Sequence, residues 1–236
     1  MCGIAGFFGE RELSPQIKDI KDCISLMKLR GPDHQSYKSF DVLNKKLVLI
    51  NSRLKILDKS SLANQPMTSD KGILVFNGLI YNYLEIKENL KKLGVKFKTT
   101  SDTEVLLKIL DLKGVEGLKE LDGMWSLIYY NYKSKKMIVA RDPFGEKPLY
   151  YMKKENFICF GSSPNYILKL LSKKKKLNYN KISNFLIYGP RLINNDHKTF
   201  FSDIKFFKNN SFFEINKNLE IKNGRYWSPN KIKIKK

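Results

Sequence analysis

Residues 1–9 read Met-Cys-Gly-Ile-Ala-Gly-Phe-Phe-Gly, an apolar run that is bordered by glycines and follows a cysteine at position 2. Short continuous apolar runs are typical of buried strands, so we predict a strand over residues 3–8. Similar runs predict strands over residues 47–50 and 73–76. We therefore expect Cys2 to lie at the start of a buried strand.

Helical periodicity appears after the third of these runs. Its apolar positions are Tyr83, Ile86, Leu90 and Leu93. Gly94 provides the stop signal of this helix. We predict that no strand follows Asn77-Gly78, although this dipeptide is ordinarily a hairpin signal. A second helix is predicted after Ser101, because Glu104 lies at the spacing of a capping box.

The remaining segments are predicted to be mostly strand. Residues 95–98 alternate as a short strand would. Aromatic and β-branched runs predict a β-meander with strands over residues 125–130, 137–140, 149–152 and 157–160. A helix over residues 180–187 and a hairpin around Asn209-Asn210 follow. Strands that bracket central helices without regular alternation favour an α+β layered domain with mostly antiparallel sheet.

The composition excludes several classes of protein. In 236 residues, 42% hydrophobic, no apolar run approaches the length of a membrane-spanning helix, and the first residues lack the basic start of a signal peptide. Three cysteines do not make a disulfide framework for this length, which favours a reducing, cytoplasmic compartment. Neither His34 nor His197 has a second ligand at metal spacing, so we expect no metal site.

The net charge of +21 suggests one alternative function, a basic nucleic-acid-binding protein. Only six of the 44 basic residues are arginines, and a lysine-rich surplus indicates general attraction of anions rather than recognition of bases. We interpret the four lysines at 173–176 as solvated surface. Nucleic-acid binding would weaken steeply with salt, which distinguishes this alternative.

Cys2 is the strongest candidate for chemistry. Removal of Met1, expected because Cys2 is small, would place a thiol and a free α-amine on one residue. An α-amine titrates at about 7.7–8.0 and a thiol at about 8.5, so the amine can accept the thiol proton directly or through water. The alternative is a small apolar cysteine that begins a strand. Cys23 and Cys159 are interpreted as inert core thiols.

Seven short motifs follow one another over residues 1–165. They are Cys2-Gly3-Ile4-Ala5-Gly6, Arg30-Gly31-Pro32-Asp33, Arg53-Leu54-Lys55-Ile56-Leu57-Asp58, Asn64-Gln65-Pro66-Met67, Asn77-Gly78-Leu79-Ile80-Tyr81-Asn82, Ser101-Asp102-Thr103-Glu104 and the run from Arg141 to Tyr151. In this order they resemble the glutaminase domain of the asparagine synthetase family. The resemblance implies a class II glutamine amidotransferase with the N-terminal-nucleophile hydrolase fold, a four-layer αββα sandwich.

The resemblance also implies the catalytic residues. Cys2 would attack the side-chain amide of glutamine and form a thioester that water hydrolyses to glutamate. Asn77, through its side-chain amide, and Gly78, through its backbone N–H, resemble the oxyanion hole that stabilises the tetrahedral intermediate. Arg30 to Asp33 resembles the loop near the nucleophile, and the run from Arg141 a structural turn.

A larger set is expected to bind glutamine: Arg53, Ile56, Leu57, Asn77, Gly78, Leu79 and Asp102. Arg53 resembles the fork for the substrate α-carboxylate, a bidentate pairing that lysine cannot copy. Asp102 resembles the carboxylate that takes the α-ammonium. Leu79 replaces the glutamate that is usual in asparagine synthetases.

The resemblance divides the chain into a glutaminase core, residues 1–165, and residues 166–236, which complete it and lead to a synthetase domain absent from this sequence. The implied partner is an ATP-pyrophosphatase synthetase domain in cis or in trans, and a homodimer is a further option. ATP and magnesium are expected only in that synthetase domain, so no cofactor is expected here. The alternative within the same fold is a catalytically degenerate scaffold, for which Leu79 and the missing domain argue.

Overall fold

The computed structural model describes residues 2–189 and 197–229. Met1, whose removal we predict, lies outside the described residues. Contacts within the chain define two compact units: Met1–Leu54 with Pro148–Lys208, and Lys55–Lys147 with Asn209–Lys236. The division at residue 165 stays a prediction.

The described elements follow one another as helices between runs of strands. The strands are β1 (Gly3–Glu10), β2 (His34–Val42), β3 (Lys45–Arg53), β4 (Met67–Thr68), β5 (Gly72–Ile80), β6 (Gly123–Asn131), β7 (Lys136–Arg141), β8 (Tyr150–Lys153), β9 (Phe157–Gly161), β10 (Lys205–Phe206), β11 (Ser211–Ile215) and β12 (Ile221–Gly224). The helices are α1 (Ile17–Met27), α2 (Tyr83–Lys92), α3 (Asp102–Lys113), α4 (Pro164–Leu170) and α5 (Tyr179–Tyr188). None of these helices is long and apolar enough to cross a membrane.

The first unit is built on a six-stranded antiparallel sheet in the order β10-β8-β9-β1-β3-β2. Its central strand β1 pairs with β3 and β9 and is buried at every position up to Gly9. Helices α1 and α4 pack against one face of this sheet. The core there is formed by Ala5, Phe7, Ile20, Cys23, Met27, Val48, Ile50, Met152, Phe157, Cys159, Tyr166, Ile167, Leu168, Leu170 and Ile204. The apolar run that opens the chain is thus the centre of a sheet, as predicted.

The second unit also contains a six-stranded antiparallel sheet, in the order β12-β11-β7-β6-β5-β4. Helices α2 and α3 cover one of its faces, and their apolar residues join those of β5 and β6 in a single core. Gly94, with φ of +82°, ends α2 as predicted. Two antiparallel sheets with packed helices confirm the predicted α+β class.

Three local predictions around the helices are wrong. A helix rather than a second strand follows Asn77-Gly78, as predicted, but β5 ends later than predicted, because its pairing with β6 continues to Ile80, opposite Gly123. No strand forms over residues 95–98: the N–H of Val95 closes the end of α2, and the Glu104 carboxylate accepts the N–H of Lys98 at 3.0 Å. Glu104 therefore does not complete a capping box.

Two predictions of strand pairing are also wrong. The strands from β6 to β9 form two hairpins in different sheets, β6 with β7 and β8 with β9, rather than one meander. Asn209-Asn210 is not a hairpin turn, because β10 pairs with β8 whereas β11 pairs with β7 and β12. The last hairpin is β11–β12. The helix predicted over residues 180–187 is confirmed as α5.

Candidate active site

Cys2 lies immediately before β1, the central strand of its sheet, and is half-buried. Its Sγ accepts a hydrogen bond from the backbone N–H of Leu54 at 3.4 Å and lies 3.7 Å from the Leu54 carbonyl oxygen. The start of β1 is held in place by Ser162, whose Oγ accepts the N–H of Ile4 at 3.1 Å.

The loop that begins at Arg30 lies beside this cysteine, as predicted. The Arg30 Nε donates to the Cys2 carbonyl oxygen at 2.7 Å. A Cβ on Gly31 would lie 2.4 Å from the carbonyl carbon and oxygen of Ser52, so only glycine lets the loop approach the end of β3 so closely. This loop therefore fixes the backbone of the nucleophile from the side of β3.

Arg53 is the last residue of β3 and is 5% exposed. Its carbonyl oxygen accepts the N–H of Asp33 at 3.1 Å, which joins it to the Arg30 loop. The next residue is Leu54, whose N–H contacts the Cys2 sulfur. The structure thus brings Cys2 and Arg53 together in the first unit.

Asn77 and Gly78 lie in the second unit, within β5. Asn77 is 1% exposed, and its Nδ2 has no hydrogen-bond partner within the described residues. A buried amide N–H without a partner costs about 1–3 kcal/mol, which structures rarely tolerate without a reason. An oxyanion that accepts this N–H during a reaction would supply such a reason.

The N–H of Gly78 is directed at an open edge of the sheet. Successive N–H groups of a strand alternate in direction, so Phe76, Gly78 and Ile80 donate on one side. Phe76 donates to the Gln65 Oε1 at 2.6 Å and Ile80 to the Asp102 Oδ2 at 3.1 Å. Strand β4 pairs with β5 only at residues 73 and 74, so no described strand covers this edge at Gly78.

Glycine is required at position 78 for a steric reason. A Cβ there would lie 2.2 Å from the Met124 carbonyl oxygen and 2.6 Å from the Trp125 Cα on β6. Any side chain would push β5 away from β6. The backbone donor at this position is therefore unobstructed by a side chain of its own.

Asp102 is the first residue of α3, and its carboxylate reaches the same edge of β5 through the Ile80 N–H. The residue is 5% exposed, and this burial raises the pKa of its carboxyl above the ordinary value. The structure thus brings Asp102 to the segment that contains Asn77, Gly78 and Leu79.

The predicted apolar contacts differ in exposure. Leu79 is half-buried and lies on the same face of β5 as Asn77, two positions away. Ile56 and Leu57, in the loop after β3, are 60% and 40% exposed. Their solvent-accessible position is compatible with a substrate-facing role, and their assignment to glutamine binding stays a prediction.

Two buried side chains of the second unit satisfy backbone N–H groups near these residues, although the sequence assigned them no role. Asp58 accepts the N–H groups of Ser60 at 2.7 Å and Thr100 at 2.9 Å. The hydrogen bond from the Ser60 side chain, together with these two bonds, holds the pKa of the Asp58 carboxyl well below the usual range. Gln65 covers the Phe76 N–H. Asp58 and Gln65 both belong to the seven motifs shared with the glutaminase domains, but only the fold shows which N–H groups they satisfy.

The other two cysteines are buried in the core of the first unit. Cys23 lies 3.7 Å from the sulfur of Met27, and burial raises its pKa to about 12. Burial also raises the pKa of the Cys159 thiol. A thiol is a poor nucleophile, whereas a thiolate is a good one. Burial keeps both cysteines in the thiol form, which supports the prediction that they are inert.

The fold is that of class II glutamine amidotransferases, which are N-terminal-nucleophile hydrolases. A glutamine phosphoribosylpyrophosphate amidotransferase from B. subtilis superimposes on 96% of this chain and 49% of its own, with a TM-score of 0.64 at 17% identity. The structure of an allosteric regulatory enzyme of purine biosynthesis gives a TM-score of 0.63 over the same share.

The sequence identifies the family. The model of the glutamine amidotransferase domain family matches residues 1–227, and the chain belongs to this family. Asparagine synthetase (glutamine-hydrolyzing) 2 of Bacillus subtilis is 30% identical over 97% of this chain and 31% of its own length. A Methanocaldococcus jannaschii relative, provisionally given the same name, is 33% identical over 96% and 46%. The chain thus spans less than half the length of these curated relatives.

Proposed function

We propose that this chain hydrolyses glutamine to glutamate and ammonia, and that the ammonia serves an ATP-dependent amidation of the asparagine synthetase type. The observation that carries the proposal is the buried Asn77 amide, which has no described partner and stands next to the open Gly78 N–H. Two donors at adjacent positions suit an oxyanion. The relatives' names support the amidation step.

The proposed reaction begins at Cys2. Its α-amine, freed by removal of Met1, takes the thiol proton, and the thiolate attacks the side-chain amide carbon of glutamine. Asn77 and Gly78 donate to the oxygen that becomes negatively charged. The C–N bond then breaks, the amine returns its proton to the departing nitrogen, and ammonia leaves. Water hydrolyses the remaining thioester to glutamate and frees the thiol.

Arg53 and Asp102 are proposed to select the substrate. A guanidinium fork pairs with the α-carboxylate, and a carboxylate pairs with the α-ammonium. Together they require a free amino acid, which distinguishes glutamine from a glutaminyl side chain within a peptide. Ile56, Leu57 and Leu79 would contact the aliphatic part.

The wider setting is also proposed. The ammonia acceptor is aspartate, the synthetase partner acts in cis or in trans, and the ATP and magnesium that the amidation reaction uses bind to that partner. Three cysteines are too few for a disulfide framework at this length, which supports a reducing, cytoplasmic compartment. Sedimentation of the purified chain tests whether it forms a homodimer.

The direct test measures glutamate release from millimolar glutamine by the wild-type chain and by Cys2→Ala. Release by the wild type alone supports the proposal. If neither protein releases glutamate, the result indicates a catalytically degenerate scaffold, the alternative that family membership argues against. Addition of a synthetase domain of a relative, with ATP and aspartate, then tests for asparagine. Intact mass of the active protein shows whether Met1 has been removed.

A further inference from the structure

A cavity of about 440 Å³ lies in the first unit, and its lining shares no residue with the candidate active site. Its volume falls within the range of about 300–1,000 Å³ that is typical of small-molecule sites. The lining residues are Met152, Lys154, Leu168, Lys173, Lys174, Lys176, Phe201, Asp203 and Ile204. Four lysines and one aspartate give this lining a net charge of +3.

The lysine run at 173–176 is fixed to the fold at both ends. The Lys173 N–H donates to the Leu168 carbonyl oxygen at 3.0 Å, directly after α4. At the other end, the Lys176 carbonyl oxygen accepts the N–H of Ser202 at 2.9 Å. The lysines of the run are exposed, as predicted, and the run borders the cavity as a segment that is held at both ends.

The lysines gather around one carboxylate. Lys154 Nζ pairs with Asp203 Oδ1 at 2.8 Å. This hydrogen bond is the main cause of the lowered pKa of Asp203, and the charges of Lys176 and Lys173 lower the pKa further. One aspartate can neutralise one lysine, so the lining keeps a surplus of positive charge, although the Lys173 Nζ also lies 5.2 Å from the centroid of the Phe157 ring.

The floor of the cavity is apolar. Met152 and Ile204 are each 1% exposed and Leu168 is 7% exposed, whereas Phe201 is half-buried. A cationic rim above an apolar and partly aromatic floor suits a ligand with a compact multiple charge and a flat apolar part. Lysine binds phosphate groups as a point charge.

We propose that this cavity binds an organic polyphosphate of the nucleoside triphosphate class. Its phosphates would contact Lys173, Lys174 and Lys176, and its base would lie against Phe201. A concave site of this volume holds one such molecule, whereas a nucleic acid strand would need a groove of several nucleotides.

The test is calorimetric titration of the full chain with ATP, inorganic tripolyphosphate and a single-stranded oligonucleotide at about 0.15 M salt. ATP should bind saturably at one site. Lys174→Gln/Lys176→Gln should weaken ATP binding about tenfold, since each removes a direct phosphate contact. The control Lys133→Gln/Lys217→Gln removes two exposed charges from the second unit and should change affinity less than about twofold. Phe201→Leu should weaken ATP but not tripolyphosphate.

Each contrary outcome overturns the proposal in a specific way. Equal weakening by the two double variants would show attraction by net charge alone. Equal affinity for ATP and tripolyphosphate would remove the role of the apolar floor. Tight binding of the oligonucleotide that ATP does not displace would indicate a nucleic-acid surface, and no saturable binding of millimolar ATP would refute the site altogether.

Discussion

The Asp102 carboxylate accepts the backbone N–H of Ile80 at 3.1 Å, across 22 positions of sequence. This bond attaches the first residue of α3 to the open edge of β5. Gln65 accepts the Phe76 N–H on the same edge. The N–H of Gly78, which lies between Phe76 and Ile80, is therefore the donor that these two side chains leave uncovered. Asp102 therefore shapes the candidate oxyanion hole, in addition to its proposed role in binding the substrate ammonium.

Asp102→Asn should separate these two roles. The amide oxygen can still accept the Ile80 N–H, but the negative charge is lost. We expect the KM for glutamine to rise about tenfold or more with a smaller change in kcat. Asp70→Asn, which removes an exposed carboxylate of the same unit, is the matched control and should leave KM unchanged.

The stability difference between the wild type and Asp102→Asn should depend on pH. Burial raises the pKa of Asp102, so the folded state retains a proton that the unfolded chain loses near pH 4. The wild type should therefore lose stability relative to Asp102→Asn as pH rises from about 4 through the folded pKa. Urea unfolding across this range measures the difference in free energy of unfolding, and a difference that stays constant with pH would contradict the prediction.

Asn77→Ala should lower kcat by about 10²–10³-fold, the usual effect of removing one oxyanion donor. The melting temperature should change little, because the Nδ2 has no described partner to lose. Ser126→Ala is the control: Ser126 is buried, pairs with Asn77 across the strands and also has an Oγ without a described partner. A similar loss of kcat in both variants would argue against a specific role for Asn77.

Arg53→Lys should raise the KM for glutamine more than it lowers kcat, because an ammonium cannot form the bidentate contact of a guanidinium. Arg11→Lys serves as the control, since Arg11 makes only an exposed contact with Asp41 at 3.5 Å among its described ion pairs. Steady-state kinetics of both variants decide the point. An unchanged KM in Arg53→Lys would exclude it as the carboxylate clamp.

A glutamine analogue with an electrophilic side-chain carbon should label the wild-type chain once, at Cys2. Cys23 and Cys159 should escape because both are buried with raised pKa values. Peptide mapping locates the label, and prior addition of glutamine should slow its appearance. Modification of either core cysteine at a comparable rate would overturn the assignment of the nucleophile.

Cys2→Ser should be nearly inactive, since a hydroxyl is harder to deprotonate than a thiol.

Local sequence patterns were sufficient to predict those elements that depend on the burial or the backbone conformation of neighbouring residues. The apolar run after Cys2 gave β1, and Gly94 marked the end of α2, because burial and a positive φ each impose a residue type. The failures at residues 95–98 and at Asn209-Asn210 concern strand pairing. Pairing depends on partners that are distant in sequence, which periodicity does not reveal.

The sequence by itself determined the residue types of the candidate site and their order, since the motifs that contain Cys2, Arg53, Asn77 and Asp102 were readable without coordinates. Only the tertiary structure decided that Asn77-Gly78 is strand rather than turn and that Asp102 covers the N–H of Ile80. The physical reason is that a residue type carries its own chemistry, whereas a free N–H or a covered one exists only after distant segments have paired.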